Sequence, residues 1–209
     1  MQIAIEGMDG VGKTTCAKQL AMFLGYPCIS HPTQYFFQDG VNNPEFQKSL
    51  GVLYKMDDPL IKAWFMGLGN LYAARHQKNA VFDRHFASNF FWNETEETKV
   101  VFKTLIDIIG KPDLTILLYA SNNTRRERLK KRDMNDKDLK DDEKWTEGYG
   151  KMERFLQEFQ LPYKRILTDG KNEKEVLKEV LSHVNNISIQ KACPSIQQSR
   201  LLSGRGAHE

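Results

Sequence analysis

The sequence predicts an α/β fold of three layers, in which helices cover both faces of a central, mostly parallel sheet of five strands. Two observations predict it. Short apolar segments alternate along the chain with longer helix-like segments, and a glycine-rich loop over residues 7–14, which read GMDGVGKT, separates the first short segment from the first long one. Short strands that are apolar on both faces and joined by helices are typical of a parallel sheet with right-handed crossovers.

The predicted elements follow this alternation in chain order. Short apolar runs predict strands at Gln2–Glu6, Tyr26–Ser30, Ala80–Asp83, Leu114–Tyr119 and Lys164–Leu167. Longer runs predict helices at Lys13–Leu24, Pro44–Tyr54, Pro59–His76, Glu94–Ile109, Asn123–Lys131, Asp142–Phe159 and Glu173–Asn185. We therefore expect one domain over residues 1–188.

Two regions depart from this compact pattern. Residues 133–143 are charged and almost without apolar side chains, so we expect a mobile loop that forms, with the basic segment before it, a lid over residues 125–143. Residues 189–209 are polar and contain Pro194 and several Ser and Gln, which predicts a disordered tail.

Composition excludes several classes of function. The 209 residues carry a formal net charge of only +3, so a nucleic acid polymer is not expected as a partner. No stretch approaches the roughly 18 apolar residues of a membrane span, and we expect neither a signal peptide nor a membrane partner. Cys16, Cys28 and Cys193 show no C-x-x-C spacing, which favours a reducing, cytoplasmic compartment.

The glycine-rich loop matches G-x-x-x-x-G-K-[ST], the pattern of the P-loop NTPase fold. Glycine at positions 7, 10 and 12 lets backbone amides close on phosphate oxygens without a Cβ in the way. Lys13 supplies a positive charge between the β- and γ-phosphates, and the Thr14 hydroxyl is a suitable ligand for Mg²⁺. The N-terminus of the following helix attracts the same anion. The sequence therefore predicts binding of a nucleoside triphosphate with Mg²⁺.

Asp83 and Arg84 stand at the end of the third predicted strand, where ligands bind in open α/β sheets. Asp83 can hold the waters of Mg²⁺ or accept a proton from an attacking oxygen, and Arg84 can neutralise charge on phosphoryl groups in the transition state. The alternative is a surface ion pair at a strand end.

A basic segment follows the fourth predicted strand. Arg125, Arg128 and Arg132 are spaced i, i+3 and i+7, so they share one face of a helix. On a closing lid, that face would supply donors to phosphoryl oxygens and exclude water. The alternative is a solvated basic helix. We expect Arg128 and Arg132 to contact phosphate or nucleotide.

Together these motifs resemble those of the thymidylate kinase family. Residues 6–15 read EGMDGVGKTT and resemble the family's E-G-x-D-G-x-G-K-T-T, and residues 83–88 read DRHFAS and resemble its D-R-[YFH]-x-x-S. The resemblance continues in order and spacing to about residue 170. It implies an ATP- and Mg²⁺-dependent kinase that converts a deoxynucleoside monophosphate, dTMP in the first place, to the diphosphate. It also implies a homodimer.

The motifs and the resemblance define an expected site. The residues expected to bind the ATP phosphates are Gly7, Asp9, Gly10, Val11, Gly12, Lys13, Thr14, Thr15, Arg128 and Arg132. Those expected to act in phosphoryl transfer are Lys13, Asp83, Arg84 and Arg128, with Thr14 and Asp83 at the metal. Those expected at the acceptor are Asp9, His31, Phe65, Arg75, Arg84 and Ser88.

Two departures from the family pattern concern the acceptor. After the second strand the family has R-E-P, whose arginine grips the acceptor monophosphate, whereas residues 30–32 here read SHP. The family's base-stacking Phe and base-reading Arg also lack counterparts in register, although Lys62, Phe65 and Arg75 lie near. A monophosphate would therefore need Lys62, Arg75 or Arg84 as its cation.

Two alternatives to a monophosphate kinase stay open. Related deoxynucleoside kinases have Glu-Pro after the second strand, and that Glu takes the proton of the 5′-hydroxyl. Here His31 or Asp83 would serve as the base, since a histidine is largely neutral at pH 7. The other alternative is a nucleotide-binding regulator whose acceptor site has decayed.

Overall fold

The computed structural model describes residues 1–30, 32–33, 44–139 and 142–192, and these form one sheet of five parallel strands with helices around it. The strands are β1 Gln2–Gly7, β2 Cys28–Ser30, β3 Ala80–Asp83, β4 Leu114–Tyr119 and β5 Tyr163–Leu167. They are ordered β2-β3-β1-β4-β5, so β1 lies at the centre between β3 and β4. The predicted α/β fold with a parallel five-stranded sheet is confirmed.

The helices connect the strands and cover both faces of the sheet. Within the described residues they are α1 Lys13–Leu24, α2 Pro44–Lys55, α3 Pro59–His76, α4 Phe86–Asn93, α5 Lys99–Ile109, α6 Asn122–Arg132, α7 Asp142–Glu158 and α8 Glu173–Ala192, with a 3₁₀ turn at Lys137–Leu139. The last helix continues past the domain end expected at residue 188, and residues 193–209 of the expected tail lie outside the described part. Residues 140–141 of the expected lid lie outside it as well.

The structure differs from the sequence prediction between β3 and α5. Helix α4 was not predicted, and α5 begins at Lys99 instead of Glu94. Thr98 separates the two helices, because its hydroxyl accepts a hydrogen bond from the Thr95 N–H (2.8 Å) and donates one to the Asn93 carbonyl oxygen (2.8 Å). A threonine that captures backbone groups in this way competes with helical hydrogen bonds. Helix α4 is buried on nearly all sides and so has no amphipathic period to predict it.

Each face of the sheet has its own apolar core. On one face, Ile5 of β1 packs in a core that includes residues of α1 and α8. On the other face, Leu117 of β4 belongs to a core with Phe90, Phe102 and Phe155, which come from α4, α5 and α7. These two cores produce the three-layer arrangement. Of the helices in the described part of the chain, none is both long and apolar enough to cross a membrane.

Replacement of Phe155 by alanine is expected to destabilise the fold by about 3–5 kcal/mol. Phe155 is fully buried, and its ring centroid lies 4.6 Å from that of Phe90 and 5.6 Å from that of Phe102. The matched control is Phe23→Ala, because Phe23 is 64% exposed and the expected loss there is below about 1 kcal/mol. Urea unfolding measures both changes, and equal losses would contradict this assignment of the core.

Candidate functional site

The glycine-rich loop leaves the centre of the sheet at β1 and ends where α1 begins, at Lys13. Gly7 has φ +137°, and a Cβ there would overlap the carbonyl oxygen of Leu118 on β4. Gly10 has φ +86°, and its Cβ would stand 3.1 Å from the carbonyl oxygen of Arg125. The positive φ angles and the close approaches restrict both positions to glycine. The loop thus turns tightly onto a helix N-terminus, which stabilises a bound anion.

Asp9 of this loop holds two cations. Lys13 is buried, and its ammonium donates hydrogen bonds to Oδ1 of Asp9 (3.3 Å) and to the carbonyl oxygen of Met8 (2.8 Å). The guanidinium of Arg84, which follows β3, donates to the same Asp9 oxygen. The loop and the Asp-Arg pair, which are separate motifs in the sequence, therefore meet in one cluster.

This cluster shifts the pKa values of its members. Burial raises the pKa of Asp9, but attraction from Lys13 and Arg84 outweighs burial and holds the pKa well below its usual range. Burial lowers the pKa of Lys13 to about 8 with help from Arg84, although Asp9 and Asp83 favour its charged form. A polyphosphate that replaced Asp9 as the partner of Lys13 would raise the lysine pKa again.

Thr14 and Asp83 meet beside the cluster. The Thr14 hydroxyl donates a hydrogen bond of 2.6 Å to Oδ2 of Asp83, while the buried Oδ1 of Asp83 has no hydrogen-bond partner among the described residues. A hydroxyl and an unpaired carboxylate oxygen fit Mg²⁺, which takes one or two protein ligands and completes its shell with waters and substrate phosphates. Among the described residues no cluster of three or more His, Cys, Asp or Glu could hold a metal. Thr14 and Asp83 would thus supply only part of the ligand shell of such an ion.

A cavity of about 720 Å³ lies over the loop and the start of α1. Of the residues expected to bind the ATP phosphates, all except Gly7 line it. The segment that follows β5 contributes Thr168, Lys171 and Asn172 to the wall. Cations from four parts of the chain thus surround a helix N-terminus, and this arrangement suits a polyphosphate.

The basic helix α6 borders this first cavity with two arginines in different surroundings. Arg128 donates to the carbonyl oxygen of Val11 (3.3 Å) and to the hydroxyl (2.9 Å) and carbonyl (2.8 Å) oxygens of Thr168, so it joins the loop to the segment after β5. Arg132 pairs with Asp136, and its side chain is 58% exposed. Arg128 is therefore fixed in place by the loop and by Thr168, whereas the largely exposed Arg132 is held by the buried carboxylate of Asp136 and would have to give up this pair to reach a ligand.

Arg125 on the same helix was not among the residues expected in the site. It is buried, its Nε donates a hydrogen bond of 2.7 Å to the Asp9 carbonyl oxygen, and its guanidinium lies 5.0 Å from the ring centroid of Trp145. The Arg125 guanidinium therefore holds the loop through the backbone of Asp9 and connects it to α7 through the ring of Trp145. Its spacing from Arg128 placed it on the correct helix face, but nothing in that spacing indicated that it would be buried.

A second cavity, of about 520 Å³, shares Asp9 and Arg84 with the first. Side chains with aromatic rings and amide groups line it, namely Tyr54, Trp92, Asn70, Asn89 and Asn93. Lys62 is the one further cation that the described residues contribute to its wall. Rings beside amide groups suit a planar heterocycle with polar edges, and the lysine suits an anionic group.

The structure brings three of the expected acceptor residues to this second cavity. Asp9, Arg84 and Ser88 line it, although the Ser88 hydroxyl is already engaged with Glu6. His31 lies outside the described residues, so its role as a base stays a prediction.

Two other expected acceptor residues, Phe65 and Arg75, are not among the described residues that line the second cavity, so their roles stay predictions. Phe65 packs with Leu50 of α2. Arg75 is exposed in the last turn of α3. Just after this turn, the carbonyl oxygen of Gln77 accepts a hydrogen bond from the side chain of Gln2. Gln2 is the first residue of β1, whereas the glycine-rich loop follows the last residue of that strand. Helix α3 has 18 residues and is about 27 Å long, and the last of its residues in the described lining is Asn70, whereas Arg75 lies in its final turn.

Other lining residues were missed. Met66 and Asn70 follow Lys62, which the sequence had offered as a possible cation for a monophosphate, at intervals of four residues along one face of α3, and this spacing could have identified the lining face. His85 carried no such signal. It is buried between Phe82 and Phe86, and burial lowers its pKa to about 3, so its ring is neutral at pH 7.

Replacement of Gly69 by alanine is expected to destabilise the protein by about 1–3 kcal/mol. A Cβ at Gly69 would stand 2.5 Å from Cα of Thr33 and 2.7 Å from the carbonyl carbon of Pro32, so the segment after β2 would have to move away from α3. Gly51→Ala on α2 is the control, because no atom lies within 4 Å of the added Cβ and alanine favours a helix by up to about 1 kcal/mol. Urea unfolding compares them, and a neutral Gly69→Ala would refute this close contact.

The affinity for ATP is expected to fall as pH rises above about 8. Lys13 has a pKa of about 8 in the ligand-free protein, and bound phosphate raises it, so above this pH binding must take up a proton and weakens by up to about tenfold per unit. Calorimetric titrations between about pH 7 and about pH 9.5 measure the decline. Lys13→Met is the control, with weak binding and no such decline. Unchanged affinity of the unmodified protein over this range would contradict the prediction.

Comparisons with known proteins agree with this geometry. A family model described as an AAA domain, AAA_18, matches residues 3–148. The chain is 31% identical over 140 residues to a deoxyguanosine kinase of Bacillus subtilis, which covers 62% of this chain and 66% of the relative. It is 30% identical over 138 residues to a probable thymidylate kinase of Metallosphaera sedula, and the match covers 63% of this chain and 67% of the relative. The chain thus spans about two thirds of the length of these relatives.

A solved structure supports the fold. Deoxyadenosine kinase from M. mycoides with bound dCTP superimposes with a TM-score of 0.59 at 23% identity, over 89% of this chain and 100% of that chain. The family model and the relatives together carry the assignment: the chain belongs to the AAA_18 family of P-loop domains and is related to the thymidylate and deoxynucleoside kinases.

Proposed function

We propose that this protein transfers the γ-phosphoryl group of ATP to the phosphate of a deoxynucleoside monophosphate, with dTMP as the first candidate acceptor. The observation that carries the proposal is the junction of the two cavities, where Asp9 and Arg84 line both and Lys13 pairs with Asp9. A donor bound over the loop and an acceptor in the second cavity would meet across these side chains. Phosphoryl transfer depends mainly on such positioning and on stabilisation of charge.

The proposed step needs no covalent intermediate on the protein. An oxygen of the acceptor phosphate attacks the γ-phosphorus, the bond from that phosphorus to the bridging oxygen breaks, and ADP leaves with the electron pair. Lys13 is placed to stabilise charge on the donor phosphates, and Arg84 to stabilise charge on the group in transfer. Arg128 keeps the loop attached to the segment after β5 while this happens.

Mg²⁺ is part of the proposal, with the Thr14 hydroxyl and the Asp83 carboxylate as its protein contacts. When bound, the ion would neutralise charge on the donor phosphates. Asp83 is suited to this role because one of its buried oxygens has no partner among the described residues, and a cation would supply one.

A monophosphate acceptor is favoured by the cations of the second cavity. Arg84 stands at the junction, and Lys62 adds a second positive charge to the wall; the other described residues of that wall are apolar or neutral and polar, apart from Asp9. A phosphate dianion needs such partners, whereas a neutral nucleoside does not. The relationship to a probable thymidylate kinase supports thymine as the first base to test.

A deoxynucleoside acceptor is the second candidate function. The carboxylate of Asp9 lies at the junction and Asp83 lies nearby, so either could receive the proton of a 5′-hydroxyl. The related deoxyguanosine kinase supports this alternative.

A homodimer in the cytoplasm is also part of the proposal. Helices α3 and α5 pack together and carry exposed apolar side chains, namely Ile61, Trp64, Leu68, Val100 and Ile108. Apolar side chains grouped on adjacent helices suit contact with a second copy of the chain.

The test is a coupled assay of ADP release with ATP, Mg²⁺ and a panel of nucleosides and nucleoside monophosphates. We expect turnover with monophosphates, and we expect Lys62→Ala to raise the acceptor KM about tenfold while the KM for ATP stays unchanged, because one charge-assisted contact to the acceptor is lost. Lys103→Ala, which removes an exposed lysine of α5, is the control. Lys13→Ala should abolish turnover without unfolding the protein.

Other outcomes of this assay would refute the monophosphate reaction. Turnover with nucleosides alone would establish the second candidate function. Tight ATP binding without transfer to any member of the panel would instead support a regulatory nucleotide-binding protein.

A further inference from the structure

Glu6 is a fully buried carboxylate in β1, next to the candidate site but outside the described lining of both cavities. Three donors hold it. Its Oε1 accepts hydrogen bonds from the backbone N–H groups of His85 (2.9 Å) and Ser88 (3.1 Å), and its Oε2 accepts one from the Ser88 hydroxyl. All three donors belong to the start of α4, so the carboxylate joins the central strand to that helix.

This contact satisfies a helix terminus that lacks a local cap. His85 is the N-cap residue of α4, and its side chain makes no capping hydrogen bond. The first N–H groups of a helix have no partner within it, and a carboxylate near them is stabilised by the helix dipole as well. Burial raises the pKa of Glu6, while the hydrogen bonds from Ser88 and His85 and the nearby charge of Arg84 favour its ionised form.

Arg84 lies between β3 and this helix, and its backbone is held on both sides. Its φ is +78°, a left-handed conformation that is uncommon for a residue other than glycine. Its N–H donates a hydrogen bond of 3.0 Å to the carbonyl oxygen of Ile5, and the next residue, His85, is bound by Glu6. Such a conformation persists only where the surroundings enforce it. Adjacent residues of β1 thus enforce the turn.

We propose that Glu6 is a positioning residue for Arg84: by binding the start of α4 it fixes the left-handed turn that directs the Arg84 guanidinium onto Asp9 at the junction of the two cavities. The inference rests on the proposed phosphoryl transfer, in which Arg84 stabilises the transferred group. Glu6 acts only through the backbone and through Arg84.

The test is a double-mutant cycle between Glu6→Ala and Arg84→Ala. Alone, Glu6→Ala is expected to lower kcat about 10- to 100-fold and to change the KM for ATP less than about twofold, because the loop itself is intact. In the Arg84→Ala background the same change should lower kcat by less than about twofold, since there is no guanidinium left to misplace. A role in stability alone would lower kcat equally in both backgrounds, and that result overturns the proposal.

Two further variants keep the test decisive. Glu6→Gln retains an oxygen for both N–H groups and an amide that can donate to the Ser88 hydroxyl, so it should keep kcat within about fivefold; a loss as large as that of Glu6→Ala overturns the proposal. Glu6→Asp retains the negative charge, but its side chain is one methylene shorter and does not reach the N–H groups of α4. If Glu6→Ala does not fold, Glu6→Asp takes its place in the double-mutant cycle. Glu153→Gln, which changes a carboxylate paired with Arg165 far along the chain, is the control.

The outcome for Glu6 is separable from the proposed function. If the unmodified protein transfers no phosphoryl group, the proposed function fails, and the positioning role is then decided by a crystal structure of Glu6→Ala. Loss of the left-handed turn at Arg84 and of its pairing with Asp9 supports the inference. Retention of φ near +78° with the same pairing overturns it.

Discussion

The pairing of Asp9 with Lys13 and Arg84 is the interaction on which the candidate site depends. Lys13 is buried, and a buried cation is costly unless an anion faces it. In the ligand-free protein that anion is Asp9, and a polyphosphate can replace it without leaving either cation unpaired. The lowered pKa of Lys13 has the same origin, since burial weakens the charged form and a single carboxylate does not fully compensate.

The parallel sheet explains why these charges meet. Strand β1 is central, and its register places Ile5 beside Asp83 of β3. Parallel strands end at the same edge of a sheet, so the loop after β1 and the Asp-Arg pair after β3 arrive together although about 75 residues separate them in the chain. Arg128 and Arg125 add a third contribution from the helix after β4, the other neighbour of β1.

The two cavities are built in different ways. The first is formed largely by one continuous loop and the helix that follows it, whose backbone conformation is set by glycines and by the helix N-terminus. The second is assembled from side chains on α2, α3 and α4 and from the short segment after β2 that rests on Gly69. The ligand that fits it therefore depends on how these helices pack.

The sequence by itself determined the parallel α/β fold, the glycine-rich loop and the position of Asp83 and Arg84 at a strand end, because each is specified by neighbouring residues: an apolar run, a glycine at a positive φ, or a helix start. Only the tertiary structure decided that Arg125 and Glu6 are buried supports, which face of α3 lines the second cavity, and that α4 forms after β3. The physical reason is that helical spacing tells which residues share a face, whereas the neighbour of that face is chosen by packing between segments that are distant in the chain.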